Sequence, residues 1–295
     1  MKLYFMPVCG DSAETIYDTM RQQTPGQTGK WGSLEATLDI SEADVYLIQD
    51  YTDAAIPDHS KVCYFAREVP GAGRVDFIPG VQRYSWIDST SYLYTKWVYP
   101  KDSIGGVRLT YDFLQGEECP EKKKSLICIQ SDKQFLVGHK KRIKFLKSFA
   151  SQYPYEIDLS GKARQLLGFK GGGEDYVVDK YATLKEYKYC MAFDNGQYKN
   201  YFGTQFTDAI LAWTVPVYWG SPNIDEFFPE DSYISFDASN LTEVHRLASL
   251  LKYDDYERRL PALKEARDLI LNKYNIWPTV HEAVSTNRVT WGGKK

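Results

Sequence analysis

The chain has no stretch approaching the ~20 apolar residues that cross a bilayer. It also has no surplus of basic charge: 36 lysines and arginines face 39 aspartates and glutamates, for a net charge of −3. A nucleic-acid binder needs a basic face to displace counterions from phosphate, so that class is disfavoured. A small anionic ligand is not, because a few local cations suffice for one. Only four histidines occur, and none is spaced with a cysteine as a ligand pair, so a zinc site is not expected. The five cysteines are odd in number and include no CxxC. Three of them, Cys63, Cys128 and Cys190, sit inside the apolar runs KVCYF, LICIQ and YCMAF and read as buried thiols of a reducing compartment. Internal repeats and low-complexity tracts are lacking as well. The opening MKLYFMPVCG has too short an apolar run for a secretory leader and reads as a first strand. A soluble, cytoplasmic protein is the expectation.

What is present is ordinary globular material: 295 residues, 43% hydrophobic and 25% charged. A single core rarely keeps growing at that size, so two domains are expected. Strands are read at 2–8, 43–50, 61–68 and 73–80, with a helix at 11–23 that Asp11 or Ser12 can cap. Residues 112–124 (DFLQGEECPEKKK) are polar and end in a lysine run that reads as solvated surface; they are the predicted linker. A second block follows, with strands at 125–132, 155–161, 188–195 and 215–220. Helices are read at 138–152, 204–213, 241–251 and 256–274, the last interrupted or kinked at Pro261. Two successive strand-and-helix blocks suggest two Rossmann-like halves, whose ligands gather at the carboxyl ends of the strands.

The stretch AWTVPVYWGSPNIDEFFP (212–229) places a buried strand that stops at Gly220. The preceding strand ends in Asp194 and Asn195, and a helix starts near Thr204 beyond the loop GQYKNYFG. Free backbone N–H groups at that helix start make a ready anion site.

Residues 187–236 carry a family resemblance. YKYCMAFDN, a tyrosine at Tyr201, DAILAWTVPVYWG and the later DSYISF resemble, in order, Y-K-F-x-x-x-F-E-N, Y-V-T-E-K, D-A-L-x-x-G-x-I-P-V-x-x-G and P-x-S-F-I. These are patterns of the fucosyltransferases of glycosyltransferase family 10. SDKQFLVGHKKRIKFL (131–146) and YEIDLSGKA (155–163) resemble flanking segments, and CYFAREVP (63–70) resembles a segment ending in E-S-P or E-P. The resemblance implies an α/β protein of GT-B-like fold, two Rossmann-like domains facing across a cleft. Residues 1–118 would be the acceptor domain and 119–275 the nucleotide-sugar donor domain, with 276–295 a tail packing back on the first. It implies inverting transfer of a sugar, fucose first, from a nucleotide sugar to a glycan hydroxyl. The co-substrate would be GDP-fucose or a UDP-sugar, and no metal or other cofactor is expected.

Such a reaction needs a base for the attacking hydroxyl and cations or N–H groups for the departing diphosphate. Glu68, ending an apolar strand, is the candidate catalytic base; a salt bridge to Arg67 is the structural alternative. Arg142 is the candidate phosphate clamp, since its fork binds two oxygens at once; a solvated helix start is the alternative. Ser131, His139, Asp194, Asn195 and Tyr201 complete the donor-binding set the resemblance implies, although Asp-Asn-Gly is also good turn chemistry.

One departure matters. The family's T-E-K falls on Gly203, Thr204 and Gln205, so Thr204 stands for the glutamate and Gln205 for the lysine. The diphosphate cation is missing there, and Arg142, Lys199 and the helix start must then act alone, or the donor differs, or activity is lost. Alternatives are therefore a donor such as UDP-xylose or a UDP-hexose, or a catalytically silent glycan- or nucleotide-binding protein. FKGGGEDY (169–176) lacks the phosphate-loop pattern and reads as a mobile cleft loop. SYLYTKWVYP (91–100) is the aromatic cluster nominated for an acceptor.

Overall fold

The computed structural model describes residues 1–7, 10–49, 51–65, 83–84 and 109–286. The chain divides into two compact units, Met1–Glu117 with Ile270–Lys295, and Glu118–Leu269. The predicted strand at 73–80 and the aromatic cluster at 91–100 lie outside the described residues, as do Arg67 and Glu68.

The first unit is built on a sheet of β1 (Lys2–Phe5), β2 (Lys30–Trp31), β3 (Leu34–Ala36), β4 (Val45–Gln49), β5 (Val62–Phe65) and β6 (Arg83–Tyr84). Their order is β2-β3-β1-β4-β5-β6, parallel except for β2 with β3. Every residue of β4 is buried, as a near-continuous apolar run in a two-sided sheet requires. Helix α1 (Ala13–Arg21) starts where Ser12 accepts from the Thr15 amide, and it buries Ile16 and Met20, four apart on one face. Helix α2 (Tyr111–Gly116) occupies the first half of the predicted linker. Thr110 caps it by accepting from the Phe113 amide, and Tyr111 and Leu114, three apart, supply its buried face. That short apolar pair was hidden among polar neighbours, and the reading of 112–124 as a linker is corrected to a helix followed by a short connection.

Helix α8 (Tyr256–Asn272) runs through Pro261 as one element. Helix α9 (Ile276–Thr286) sets Ile276, Trp277, Val280 and Ala283 into the core around Leu3, Phe5 and Leu47. Trp277 meets Phe5 edge-on at 5.4 Å and donates its indole N–H to the Met20 carbonyl at 2.8 Å. The carboxyl-terminal segment thus belongs to the first unit because its apolar stripe completes that core.

The second unit carries β7 (Lys124–Ile129), β8 (Asp158–Ser160), β9 (Tyr187–Phe193), β10 (Val215–Trp219) and β11 (Ile234–Ser235), in the order β11-β10-β9-β7-β8 and parallel throughout. Helices α3 (Val137–Gln152), α4 (Lys162–Leu167), α5 (Lys180–Lys185), α6 (Thr204–Leu211) and α7 (Glu243–Tyr253) complete it. The strand order reverses between β7 and β9, so the crevice at their carboxyl ends is the topological switch point. Cys63 in the first unit and Cys128 and Cys190 in the second are buried and free, and burial pushes their thiols up, Cys190 to about 12.

Residues 169–176, read from sequence as a mobile cleft loop, pack on the sheet of the second unit. They run along β8, with the Leu159 amide donating to Gly172 O at 3.0 Å and the Gly161 amide to Glu174 O at 2.8 Å. Side chains at Gly172 and Gly173 would collide with Asp158 and the Leu159 carbonyl, so glycine is what permits this close approach.

Candidate functional site

The switch point collects most of the residues nominated from sequence. Strand β7 runs out into Gln130 and Ser131, and the chain then enters α3. Arg142 sits inside α3, and its side chain turns back along the helix toward these strand-end residues. Its Nη2 donates to Ser131 Oγ at 2.9 Å and to the Lys133 carbonyl at 3.5 Å. Gln130 satisfies both neighbours with its amide oxygen toward Arg142, accepting from Nε and Nη1 at 3.2 Å each, and its nitrogen toward the Ile129 carbonyl. Gln205 Nε2, from the first turn of α6, donates to that same carbonyl at 3.3 Å.

Arg142 is only 3% exposed, and among the described residues no carboxylate lies within ion-pair distance of it. Burial lowers its pKa to about 10, which still leaves it cationic at neutral pH. A buried charge held by neutral oxygens alone remains under-compensated, and a neighbouring anion would relieve that cost.

His139, also in α3, makes two contacts. Its Nδ1 accepts from the Leu136 amide at 3.3 Å and its Nε2 faces Asn195 Oδ1 at 2.9 Å. This pairing specifies the neutral tautomer with Nε2–H donating. Burial lowers the His139 pKa and outweighs the raising effect of Asn195; Arg142 and Lys133 lower it further. His139 therefore orients Asn195 as a neutral ring. The helix start approaches the Asn195–Gly196 peptide so closely that a side chain at Gly138 would overlap the Asn195 carbonyl.

Asp194 faces inward. Its Oδ1 accepts from the Gly203 amide at 2.8 Å and its Oδ2 from the Tyr218 hydroxyl. Burial raises the Asp194 pKa to about 7 against the lowering effect of both bonds. The Tyr218 hydroxyl oxygen also accepts from the Ser221 amide at 2.7 Å. This explains the abrupt stop of VPVYW: a side chain at Gly220 would collide with both the Tyr218 hydroxyl and Asp194 Oδ2, so only glycine lets the strand turn over the pair. Asn223 extends the network, accepting from the Asn200 amide at 2.8 Å and donating to the Asn200 side chain at 2.7 Å.

Tyr201 is buried, its ring edge-on to Tyr198 at 6.4 Å. Thr204 and Gln205 begin α6, which has no side-chain cap, and among the described residues their backbone amides find no acceptor. Lys141 lies 5.8 Å from the centre of the Trp219 ring, and Lys199 is exposed. Past the Gly220 turn opens a cavity of about 590 Å³ whose lining includes Gln197, Ser221, Asp225, Tyr233 and Arg246. Arg246 is engaged there by Glu243 at 2.6 Å.

The second unit therefore joins Ser131 with Arg142, His139 with Asn195, and Asp194 with the start of the helix that bears Thr204 and Gln205. Glu68 lies outside the described residues. The sequence reading missed Gln130, Tyr218, Asn200 and Asn223. A glutamine ending the apolar LICIQ was a usable signal for the first; nothing local distinguishes Tyr218 from an ordinary strand aromatic.

Residues 119–260 match the model described as glycosyltransferase family 10 (fucosyltransferase) C-term. The chain is 38% identical over 80 residues to a putative fucosyltransferase-like protein of Arabidopsis thaliana, which is 27% of this chain and 15% of that protein. It is 32% identical over 106 residues to the alpha-(1,3)-fucosyltransferase FucT of Helicobacter pylori, which is 36% of this chain and 19% of that enzyme. These matches thus span under a fifth of the relatives' own length. Among solved structures, an alpha1,3-fucosyltransferase with GDP superposes with a TM-score of 0.50 at 16% identity, covering 90% of this chain and 82% of that one. The likeness establishes a GT-B fold.

Proposed function

We propose that this chain, whose residues 119–260 match the glycosyltransferase family 10 (fucosyltransferase) C-terminal model, transfers fucose from GDP-fucose to a glycan hydroxyl with inversion at the anomeric carbon. The observation that carries the reading is Arg142: a buried guanidinium with no carboxylate partner among the described residues, at the switch point of a parallel sheet. The GDP of the solved fucosyltransferase that shares this fold supports the choice of nucleotide.

In the proposed reaction an acceptor hydroxyl attacks the anomeric carbon as the diphosphate departs. Glu68 takes the hydroxyl proton. The negative charge growing on the leaving diphosphate is met by Arg142, by the Ser131 hydroxyl and by the open amides of Thr204 and Gln205. These donors are already fixed by the fold, so they need little reorganisation as charge develops. The proposed chemistry uses no essential metal, because the protein's own cation and dipoles face the leaving group. The free buried thiols support a reducing, cytoplasmic setting. Among the described residues no helix is long and apolar enough to cross a membrane.

A UDP-pentose or UDP-hexose donor is the second reading. It rests on Thr204 and on Gln205, whose side-chain nitrogen points back to Ile129 O and brings no charge to the diphosphate. Incubating the protein with GDP-fucose, UDP-xylose and UDP-hexoses across a panel of glycan acceptors, and measuring nucleotide release, separates the two. GDP released only from GDP-fucose supports the first reading; UDP release supports the second.

A further inference from the structure

We infer that Asp194 is a positioning residue that, with Tyr218, holds the amino terminus of α6 and the Gly220 turn as one rigid unit against the donor diphosphate. The inference rests on the donor reading above and assigns Asp194 a task inside the fold rather than in contact with the sugar nucleotide.

The geometry is specific. One carboxylate oxygen holds the Gly203 amide at the start of α6, and the other holds Tyr218 at the end of β10. Tyr218 passes the restraint on to the Ser221 amide. Asn223 then ties the turn back to Asn200, in the loop that leads to α6. Asp194, Asn200, Ser221 and Asn223 are each at most 8% exposed, so these bonds do not compete with water. Both connections depend on glycine, since side chains at Gly203 and Gly220 would each press on the Asp194 carboxylate. Asp194 is 3% exposed and each of its oxygens already holds a backbone or hydroxyl donor of the fold, so its work is inside the fold. What it controls is where the amides of Thr204 and Gln205 point. In a site that lacks a lysine at position 205, that aim matters more, because those amides share the diphosphate with one cation, Arg142, and the neutral Ser131 hydroxyl.

The test uses Tyr218→Phe, Asp194→Ala and Asp194→Asn in the full chain. Amide hydrogen exchange is followed at Gly203 and Ser221, and GDP affinity by calorimetry. Tyr218→Phe removes the shared hydroxyl while keeping the ring. It is expected to speed exchange at Ser221 and also at Gly203, which Tyr218 does not touch, and to weaken GDP binding tenfold or more. Asp194→Ala is expected to weaken GDP to a similar degree. Asp194→Asn keeps an acceptor for Gly203 and is expected to recover most of the loss. The double variant Asp194→Ala, Tyr218→Phe should bind no worse than the weaker single, as one coupled unit requires. Unchanged exchange at Gly203 in Tyr218→Phe, or GDP affinity within twofold of the parent in folded Asp194→Ala, overturns the inference. If the parent protein binds no GDP, the donor reading fails, and exchange at Gly203 still decides the coupling.

Discussion

Arg142 and Ser131, eleven residues apart in the chain, meet at 2.9 Å where β7 ends and α3 begins. The bond fixes the guanidinium of a buried arginine with a neutral hydroxyl instead of a carboxylate. An arginine used only for packing is normally neutralised when buried; in the proposed function this one meets an anionic diphosphate. Arg142→Lys should therefore not substitute for it. A lysine lacks the fork that reaches Ser131 and Gln130 together, and GDP affinity in that variant is expected to fall nearly as far as in Arg142→Ala.

Gln205→Lys introduces the charge that the resemblance to T-E-K implies at this position. A charge-assisted bond to phosphate contributes on the order of 1.5–3 kcal/mol, so GDP is expected to bind roughly tenfold more tightly, with a steeper loss of affinity as salt rises. Calorimetric titration at two ionic strengths checks this. No gain in affinity at low salt means that the diphosphate does not lie by the first turn of α6.

Gly138→Ala places a methyl group on the Asn195 carbonyl. Overpacking of this kind costs about 1–3 kcal/mol. It should also push α3, which carries both His139 and Arg142, away from the end of β9. Lower melting temperature together with weaker GDP binding is expected; a variant as stable and as tight-binding as the parent would show that the approach is not close in solution.

Asp194 gives a pH signature. Burial raises its folded-state pKa to about 7, from about 3.8 for an ordinary aspartate. A raised carboxyl binds its proton more tightly in the folded chain. Its stabilising contribution is fully present below pH 3.8 and is lost as pH rises through about 7. Asp194→Asn cannot ionise, so its melting temperature relative to the parent should improve steadily between pH 4 and pH 8. Parallel pH profiles for the two proteins would contradict the assignment.

Glu68→Gln tests the proposed base. General-base catalysis contributes typically ~10²–10⁴-fold. Sugar transfer is expected to fall by that order while GDP affinity stays within twofold. A variant that transfers at the parental rate removes Glu68 from the chemistry.

The sequence showed the second unit more clearly than the first. Runs such as YKYCMAF and VPVYW are too apolar and too β-branched or aromatic to be anything but buried parallel strands, and their polar endings mark the switch point. Ser131, Arg142, His139 and Asn195, which the resemblance singled out, come together beside those endings. Local pattern could not show direction. Whether Asp194 faces a ligand or the interior depends on Tyr218, 24 residues later, and tertiary pairing of that range leaves no local trace. The same holds for residues 169–176, whose glycines suggested freedom but serve close packing on β8. Helix α2 was missed because a six-residue helix with two buried side chains carries too little periodicity to read.

The account turns on a diphosphate held at Arg142, and calorimetric titration of the parent and Arg142→Ala with GDP and UDP tests that most directly. The expected result is one GDP site per chain, GDP preferred over UDP, and affinity reduced at least tenfold by Arg142→Ala in a protein that still melts cooperatively. Equal GDP affinity in the two proteins, or tighter binding of UDP than of GDP by the parent, would contradict it.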